Sequence, residues 1–168
     1  FAGQISKRKN ASTTIKACKI LLEKGYDIKF TVAGRIKSKQ EYRIIKAHDF
    51  VNYIEHQPKE KLIELYRKND MFVMPSKTET FGLVYAEAMS QGLPIIYTKG
   101  QGFDGQFPEA EIGYSVTYNS PQEIADRILD VLANYEKLTK NCIVKVDKFN
   151  WDTISKEYTE MYSCLKNY

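Results

Sequence analysis

A chain of 168 residues, 43% of them hydrophobic, can bury one substantial core and reads as a single domain, residues 1–168. Basic residues number 25 against 21 acidic ones, a formal charge of +4; so diffuse an excess favours anionic ligands and argues against a nucleic-acid-binding surface. No apolar run nears the roughly 20 residues of a membrane-spanning helix, and the odd, widely spaced Cys18, Cys142 and Cys164 suit reduced thiols better than a disulfide framework or a zinc site.

In chain order, strands and helices alternate. Residues 1–4 read as the end of a strand, with Phe1 in its middle, so no secretory leader is expected. Residues 11–24 form an amphipathic helix with Ile15, Ala17, Cys18, Leu21 and Leu22 inward, stopped by Gly25. A second strand covers 28–33 and is closed by Gly34. A polar helix over 37–47 follows, with His48 read as surface, and then a third short strand over 51–54. Pro58 opens a helix over 59–67, because proline suits the first helical turn. Residues 70–74 supply a fourth strand, 84–91 a helix, 94–97 a fifth strand and 113–116 a last one. Ser120 and Glu123 have capping-box spacing at the start of a helix over 123–134, and helical segments fill the remainder. This alternation predicts an α/β fold: a Rossmann-like, doubly wound parallel sheet of about six strands with helices on both faces.

Ligands in such sheets bind at the carboxyl ends of the strands. Four loops are expected there, over residues 4–9, 54–57, 76–83 and 99–105. The third is the most informative. The run Pro75-Ser76-Lys77-Thr78-Glu79-Thr80-Phe81-Gly82-Leu83-Val84-Tyr85-Ala86-Glu87 follows the apolar Met71-Phe72-Val73-Met74 and enters a helical pattern. Glu79 falls in the loop and Glu87 more than a turn inside the helix. Gly82 between them lets backbone amides at a helix N-terminus approach an anion. Carboxylates beside an anion site suit a ligand bearing both phosphates and hydroxyls, as a nucleotide sugar does.

Glu79 and Glu87, with Phe81-Gly82-Leu83 between them and Ala88-Met89-Ser90-Gln91-Gly92-Leu93-Pro94-Ile95-Ile96 after them, resemble the signature of retaining GT-B glycosyltransferases. More narrowly, the match is similar to the large family-four group (glycosyl transferases group 1). Phe1-Ala2-Gly3-Gln4-Ile5-Ser6-Lys7-Arg8-Lys9-Asn10 resembles the opening strand and phosphate loop of that family's C-terminal domain. Phe149-Asn150-Trp151-Asp152, with Tyr158 and Tyr162, is similar to its closing helix. The resemblance implies half of a GT-B fold: a donor-binding domain, part of a longer chain whose N-terminal domain binds the acceptor.

The resemblance also implies roles. Glu87 matches the glutamate that accepts hydrogen bonds from the donor's ribose, and Glu79 the residue that contacts the transferred sugar. Thr80, Phe81, Gly82 and Leu83 match the segment whose amides hold the donor's phosphates, with the Phe81 side chain packing. Lys9 matches a lysine that neutralises the departing diphosphate, so Glu79 and Lys9 are the expected catalytic residues. Ile54 and Glu55 stand where the family borders the base, and His56 either reads the base edge or is plain surface. Gln4 occupies a position where the family usually has an arginine, and this departure puts catalytic power in doubt. Arg8 either compensates or is simply exposed, and the cluster Lys7-Arg8-Lys9 reads most simply as a solvated loop.

The glycine-rich residues 99–106 either read the donor's sugar or form a flexible connection; three glycines in six residues favour close backbone approach and the first reading. Residues 149–168 with Trp151, Tyr158, Tyr162 and Tyr168 are expected to pack toward the N-terminal domain, the alternative being a membrane surface. No metal or other cofactor is expected, since basic residues and the helix dipole replace it. The implied partners are a UDP- or GDP-sugar and a glycan or lipid acceptor of polysaccharide biosynthesis. The implied location is cytoplasmic, with peripheral association at the inner face of a membrane through the N-terminal half. The alternative is a nucleotide-binding or partner-assembling module without transfer activity.

Overall fold

The structure, a computed structural model, describes residues 1–165. Its elements run α1 (Ala11–Glu23), β1 (Phe30–Ala33), α2 (Lys39–Lys46), β2 (Val51–Ile54), α3 (Lys59–Tyr66), β3 (Phe72–Val73) and α4 (Leu83–Met89). They continue with β4 (Ile95–Thr98), β5 (Gly113–Val116), α5 (Pro121–Ala133), α6 (Tyr135–Lys145), a 3-10 turn over Val146–Phe149 and α7 (Trp151–Leu165). The predicted alternation is present, and its punctuation is chemical. Gly25 takes φ 89° after α1, so that its amide reaches the Leu22 carbonyl and the Tyr26 amide that of Leu21. These two bonds satisfy carbonyls that the helix end would otherwise leave bare. Ser38 and Ser120 cap α2 and α5 by accepting from the Glu41 and Glu123 amides.

All strand pairs are parallel. β1 pairs with β2, Phe30 opposite Val51 through Ala33 opposite Ile54, and β4 lies between β3 and β5. The expectation of about six strands in one sheet is corrected to five strands in two small sheets among the described residues. The opening segment falls short of a strand, because it touches β1's edge only through isolated bridges, Ala2 to Ala33 and Ile5 to Ile36. Between those bridges Gly3 and Gly34, with φ of 152° and 150°, face each other so closely that a Cβ on Gly34 would overlap the Gly3 carbonyl oxygen.

Side-chain alternation along the strands feeds two cores. Phe72, Met74, Ile95 and Tyr97 join Tyr85 and Met89 of α4 and Ile45 of α2. Val73, Ile96 and Val116 join Ala17 and Leu21 of α1 and Ile124, Ile128 and Val131 of α5. Successive strand residues point to opposite faces, so this split is what helices on both faces require. His48, expected at the surface, is half-buried and stacks on Phe50 with ring centroids 5.4 Å apart. α7 is the outlier: Trp151, Tyr158, Met161 and Tyr162 are all exposed, Trp151 at 81%. Tyr168, grouped with them from the sequence, lies outside the described residues. No described helix is long and apolar enough to cross a membrane.

Candidate functional site

The carboxyl ends of β1, β2 and β3 open onto a cleft of about 760 Å³. One wall begins where the opening segment turns into α1. Lys9 and Asn10 are buried there, whereas Lys7 and Arg8 are exposed, so the solvated-loop reading of the basic cluster fails for Lys9. Lys9 Nζ pairs with Glu79 Oε2, and both side chains are about a tenth exposed or less, at 11% and 7%. Ser76 Oγ donates to the same carboxylate oxygen at 3.5 Å. Burial of a charge is tolerable only with such a partner.

Asn10 explains why the Lys9 loop is so well placed. Its backbone takes φ 61°, a left-handed conformation that asparagine tolerates better than most residues. Its amide group donates to the carbonyls of Pro75 at 2.9 Å and Tyr118 at 2.7 Å, while its oxygen accepts from the Thr13 hydroxyl. One buried side chain therefore ties three loops together. Arg8 adds a further link, donating to the Thr78 carbonyl at 2.9 Å, and the Lys77 amide donates to the Arg8 carbonyl at 2.8 Å.

The glycine-rich loop after β4 corrects an expectation. None of residues 99–106 lines the cleft. Gln101 Oε1 instead accepts from the Glu79 amide at 2.9 Å, and the Gly102 amide donates to the Glu79 carbonyl at 3.1 Å. A Cβ on Gly102 would overlap the Thr80 carbonyl oxygen. The close backbone approach foreseen from the glycines is real, but the partner is the protein's own loop. Phe103, 2% exposed, sits beneath Phe81, which also packs edge-on against Phe149 at 5.4 Å. The Phe81 side chain is thus held by packing.

Gly82, with φ 82°, turns the chain into α4. The amides of Phe81, Gly82, Leu83 and Val84 donate to no protein group among the described residues, and all four residues line the cleft. Glu87 lines it one turn further on, and the Tyr66 hydroxyl of α3 donates to its Oε2 at 3.5 Å. Burial and the neighbouring Glu87 carboxylate push the Tyr66 phenol well above its ordinary range, so it remains a donor.

Of the residues singled out from the sequence, Gln4, Arg8, Lys9, Glu79, Thr80, Phe81, Gly82, Leu83 and Glu87 come together around this cleft. Ile54 and Glu55 do not. Ile54 ends β2 and Glu55 follows it, and the next two residues, His56 and Gln57, line the cleft instead. Arg35, just past β1, also lines it and was missed, as were Asn10, Tyr66 and Gln101 behind the site. Only Asn10 carries a local signal, an asparagine directly ahead of a helix; Tyr66 and Gln101 meet their partners more than 20 residues away, and Arg35 reaches the cleft through the pairing of β1 with the opening segment.

The cleft at the strand ends thus sets two acids on either side of free amides, with a lysine held against one acid, and proteins of similar sequence and shape are known. The D-inositol 3-phosphate glycosyltransferase of Corynebacterium urealyticum is 25% identical over 98% of this chain and 42% of its own length. The capsular polysaccharide biosynthesis glycosyltransferase CapM of Staphylococcus aureus is 29% identical over 97% of this chain and 45% of its own. The chain therefore spans less than half the length of these relatives. Among solved structures, sucrose-phosphate synthase of Thermosynechococcus elongatus superposes with a TM-score of 0.80 at 26% identity, covering 98% of this chain and 44% of that one. Anabaena HepE in complex with UDP gives 0.81 at 19% identity, covering 97% and 48%, a likeness of fold alone. Residues 1–148 match the family described as glycosyl transferases group 1, and the chain belongs to that family, with its GT-B type of α/β fold.

Proposed function

We propose that the chain is the donor-binding part of a retaining glycosyltransferase and that the cleft holds a nucleoside diphosphate sugar. The observation that carries this reading is the run of unpaired amides from Phe81 to Val84, flanked by Glu79 and Glu87 in one cleft. Amides without protein acceptors suit phosphate oxygens. Glu87 then accepts hydrogen bonds from the ribose hydroxyls, with Tyr66 holding one of its oxygens. Glu79 faces the transferred sugar. In the transfer, the bond between the sugar's anomeric carbon and the diphosphate breaks as the acceptor hydroxyl bonds to that carbon. The electron pair stays on the diphosphate, whose departing oxygen takes up the proton of the acceptor hydroxyl. Lys9 has three ammonium donors, of which Glu79 takes one, leaving others for the leaving oxygens. Fixed donors aimed at developing charge contribute more than any other term in many such reactions.

UDP is the first probe because Anabaena HepE and pneumococcal GtfA, which share this fold, are complexes with UDP. In this reading the acceptor site belongs to a further domain, toward which the exposed face of α7 is turned. Isothermal titration of the chain with UDP and GDP tests the proposal. Binding at micromolar or weaker affinity is expected for one of them, without sugar transfer. Absence of heat with both at millimolar concentration overturns it.

A further inference from the structure

We infer that Arg35 is a second cation, besides Lys9, that meets the donor's diphosphate, standing beside Gln4, a role that rests on the donor-site reading above. Three cations line the cleft: Arg8, Lys9 and Arg35. Two are already engaged, Lys9 by the Glu79 carboxylate and Arg8 by the Thr78 carbonyl. Arg35 makes no side-chain hydrogen bond or ion pair among the described residues, and it is exposed. An anion entering the cleft therefore finds one guanidinium with all its donors available.

The strand register says where that guanidinium stands. Ala2 bridges to Ala33 and Ile5 to Ile36, so Gln4 lies directly opposite Arg35 in a parallel pairing. The Gly3 amide donates to the Ala33 carbonyl and the Ile5 amide to that of Arg35, which holds this register. Opposed residues of parallel neighbours share a face, and adjacent chains run about 4.8 Å apart. Gln4 and Arg35 accordingly reach the same cleft side by side. Gly3 and Gly34 precede them, so no side chain walls Arg35 off from the Lys9 loop. A Cβ on Gly3 would already be 3.9 Å from Lys9 Cε, which places the lysine stem against this same turn. Lys9 against Gly3, Arg35 opposite Gln4 and the amides of residues 81–84, which make no hydrogen bond among the described residues, thus line one cleft. A guanidinium offers paired donors to phosphate oxygens that an ammonium cannot match.

The test moves the charge across the register. UDP, inorganic pyrophosphate and uridine are titrated into the wild-type chain, R35Q and the double variant Q4R/R35Q at low salt. R35Q should weaken UDP and pyrophosphate by about tenfold, the scale of one charge-assisted hydrogen-bonded contact, and leave uridine unchanged. Q4R in the R35Q background should restore most of the loss, because the guanidinium returns to the neighbouring chain. Added salt should shrink the difference between wild type and R35Q. Equal loss of UDP and uridine would assign Arg35 to the base and overturn the inference, as would unchanged UDP binding in R35Q or failure of the double variant to recover. A wild-type chain that binds UDP or GDP while R35Q binds UDP equally well leaves the donor-site reading standing and removes only Arg35. Binding of neither nucleotide by the wild type removes both. Because Arg35 is exposed, its replacement leaves both cores untouched.

Discussion

The two walls of the cleft are built differently. The wall formed by the Lys9 loop, the end of β3 and the start of α4 is braced from every side. Lys9 holds Glu79, Asn10 ties Pro75 to Tyr118, Gln101 holds the Glu79 amide, and Phe103 supports Phe81. The opposite wall, where His56 and Gln57 follow the end of β2, has little of this. Gln57 donates to the nearby Glu55 carbonyl at 3.1 Å and Tyr53 to the Gly34 carbonyl at 3.0 Å. Groups that must meet developing charge benefit from being held before the ligand arrives. Groups that meet a base or the outer part of a donor can be ordered by the ligand itself. The difference suggests a preorganised chemical half and an adaptable recognition half.

The largest effect is expected on the braced wall. Lys9→Ala leaves the Glu79 carboxylate poorly exposed and without its cation, and should destabilise the chain by about 1–3 kcal/mol. On the donor-site proposal it should also nearly abolish sugar transfer. Denaturant melts and turnover measurements check both. Adding Glu79→Gln should recover stability but not turnover, and a single variant as stable as wild type breaks the comparison.

Next comes Asn10. Replacement by alanine loses the hydrogen bonds to Pro75 and Tyr118 and the one accepted from Thr13, and keeps a left-handed backbone that alanine dislikes, together about 2–3 kcal/mol. Asn10→Gly relieves the backbone but not the hydrogen bonds, so its melt should fall between alanine and wild type. If glycine and alanine melt alike, the left-handed conformation contributes nothing and the hydrogen bonds alone place the loop.

The two glutamates sharpen the same contrast within one motif. Glu87→Gln should weaken UDP or GDP about tenfold, by losing charge-assisted bonds to ribose hydroxyls. On the donor-site proposal, Glu79→Gln should barely alter free nucleotide binding and should instead lower the rate of sugar transfer. Equal losses of nucleotide affinity would erase the division of labour. The smallest effect belongs to the open wall: His56→Ala with Gln57→Ala should cost less than about threefold in UDP affinity, consistent with exposed, adaptable contacts. A large loss there would mean that this wall is as firmly preset for the ligand as the other.

Much of this was legible locally. The strand and helix alternation, the Gly25 stop, the serine caps and the placement of Glu79 and Glu87 around a loop-to-helix turn follow from periodicity and from backbone preferences that act over a few residues. The reading failed where an outcome depended on a distant neighbour. Residues 1–4 carry a strand-like pattern, yet pairing through the Gly3 and Gly34 contact leaves only two bridges. Ile54 and Glu55 are expected in the site from the resemblance, but β2 runs through Ile54, and His56 and Gln57, further along the same expected loop, line the cleft instead.

The glycine loop shows the same limit from another side. Glycine announces that a backbone comes close, because a Cβ is absent, but it cannot announce which partner does so. Here the partner is Thr80, and the loop supports the site from behind. By itself, then, the sequence determined the α/β alternation, the family and the acids and lysine of the motif, because hydrophobic period, turn residues and motif spacing are local quantities. Only the tertiary structure decided that Lys9 is engaged by Glu79, that Asn10 and Gln101 hold the chemical wall, and that Arg35 stands opposite Gln4. Those facts depend on register and on hydrogen bonds between residues from 22 to more than a hundred positions apart, which no local pattern encodes.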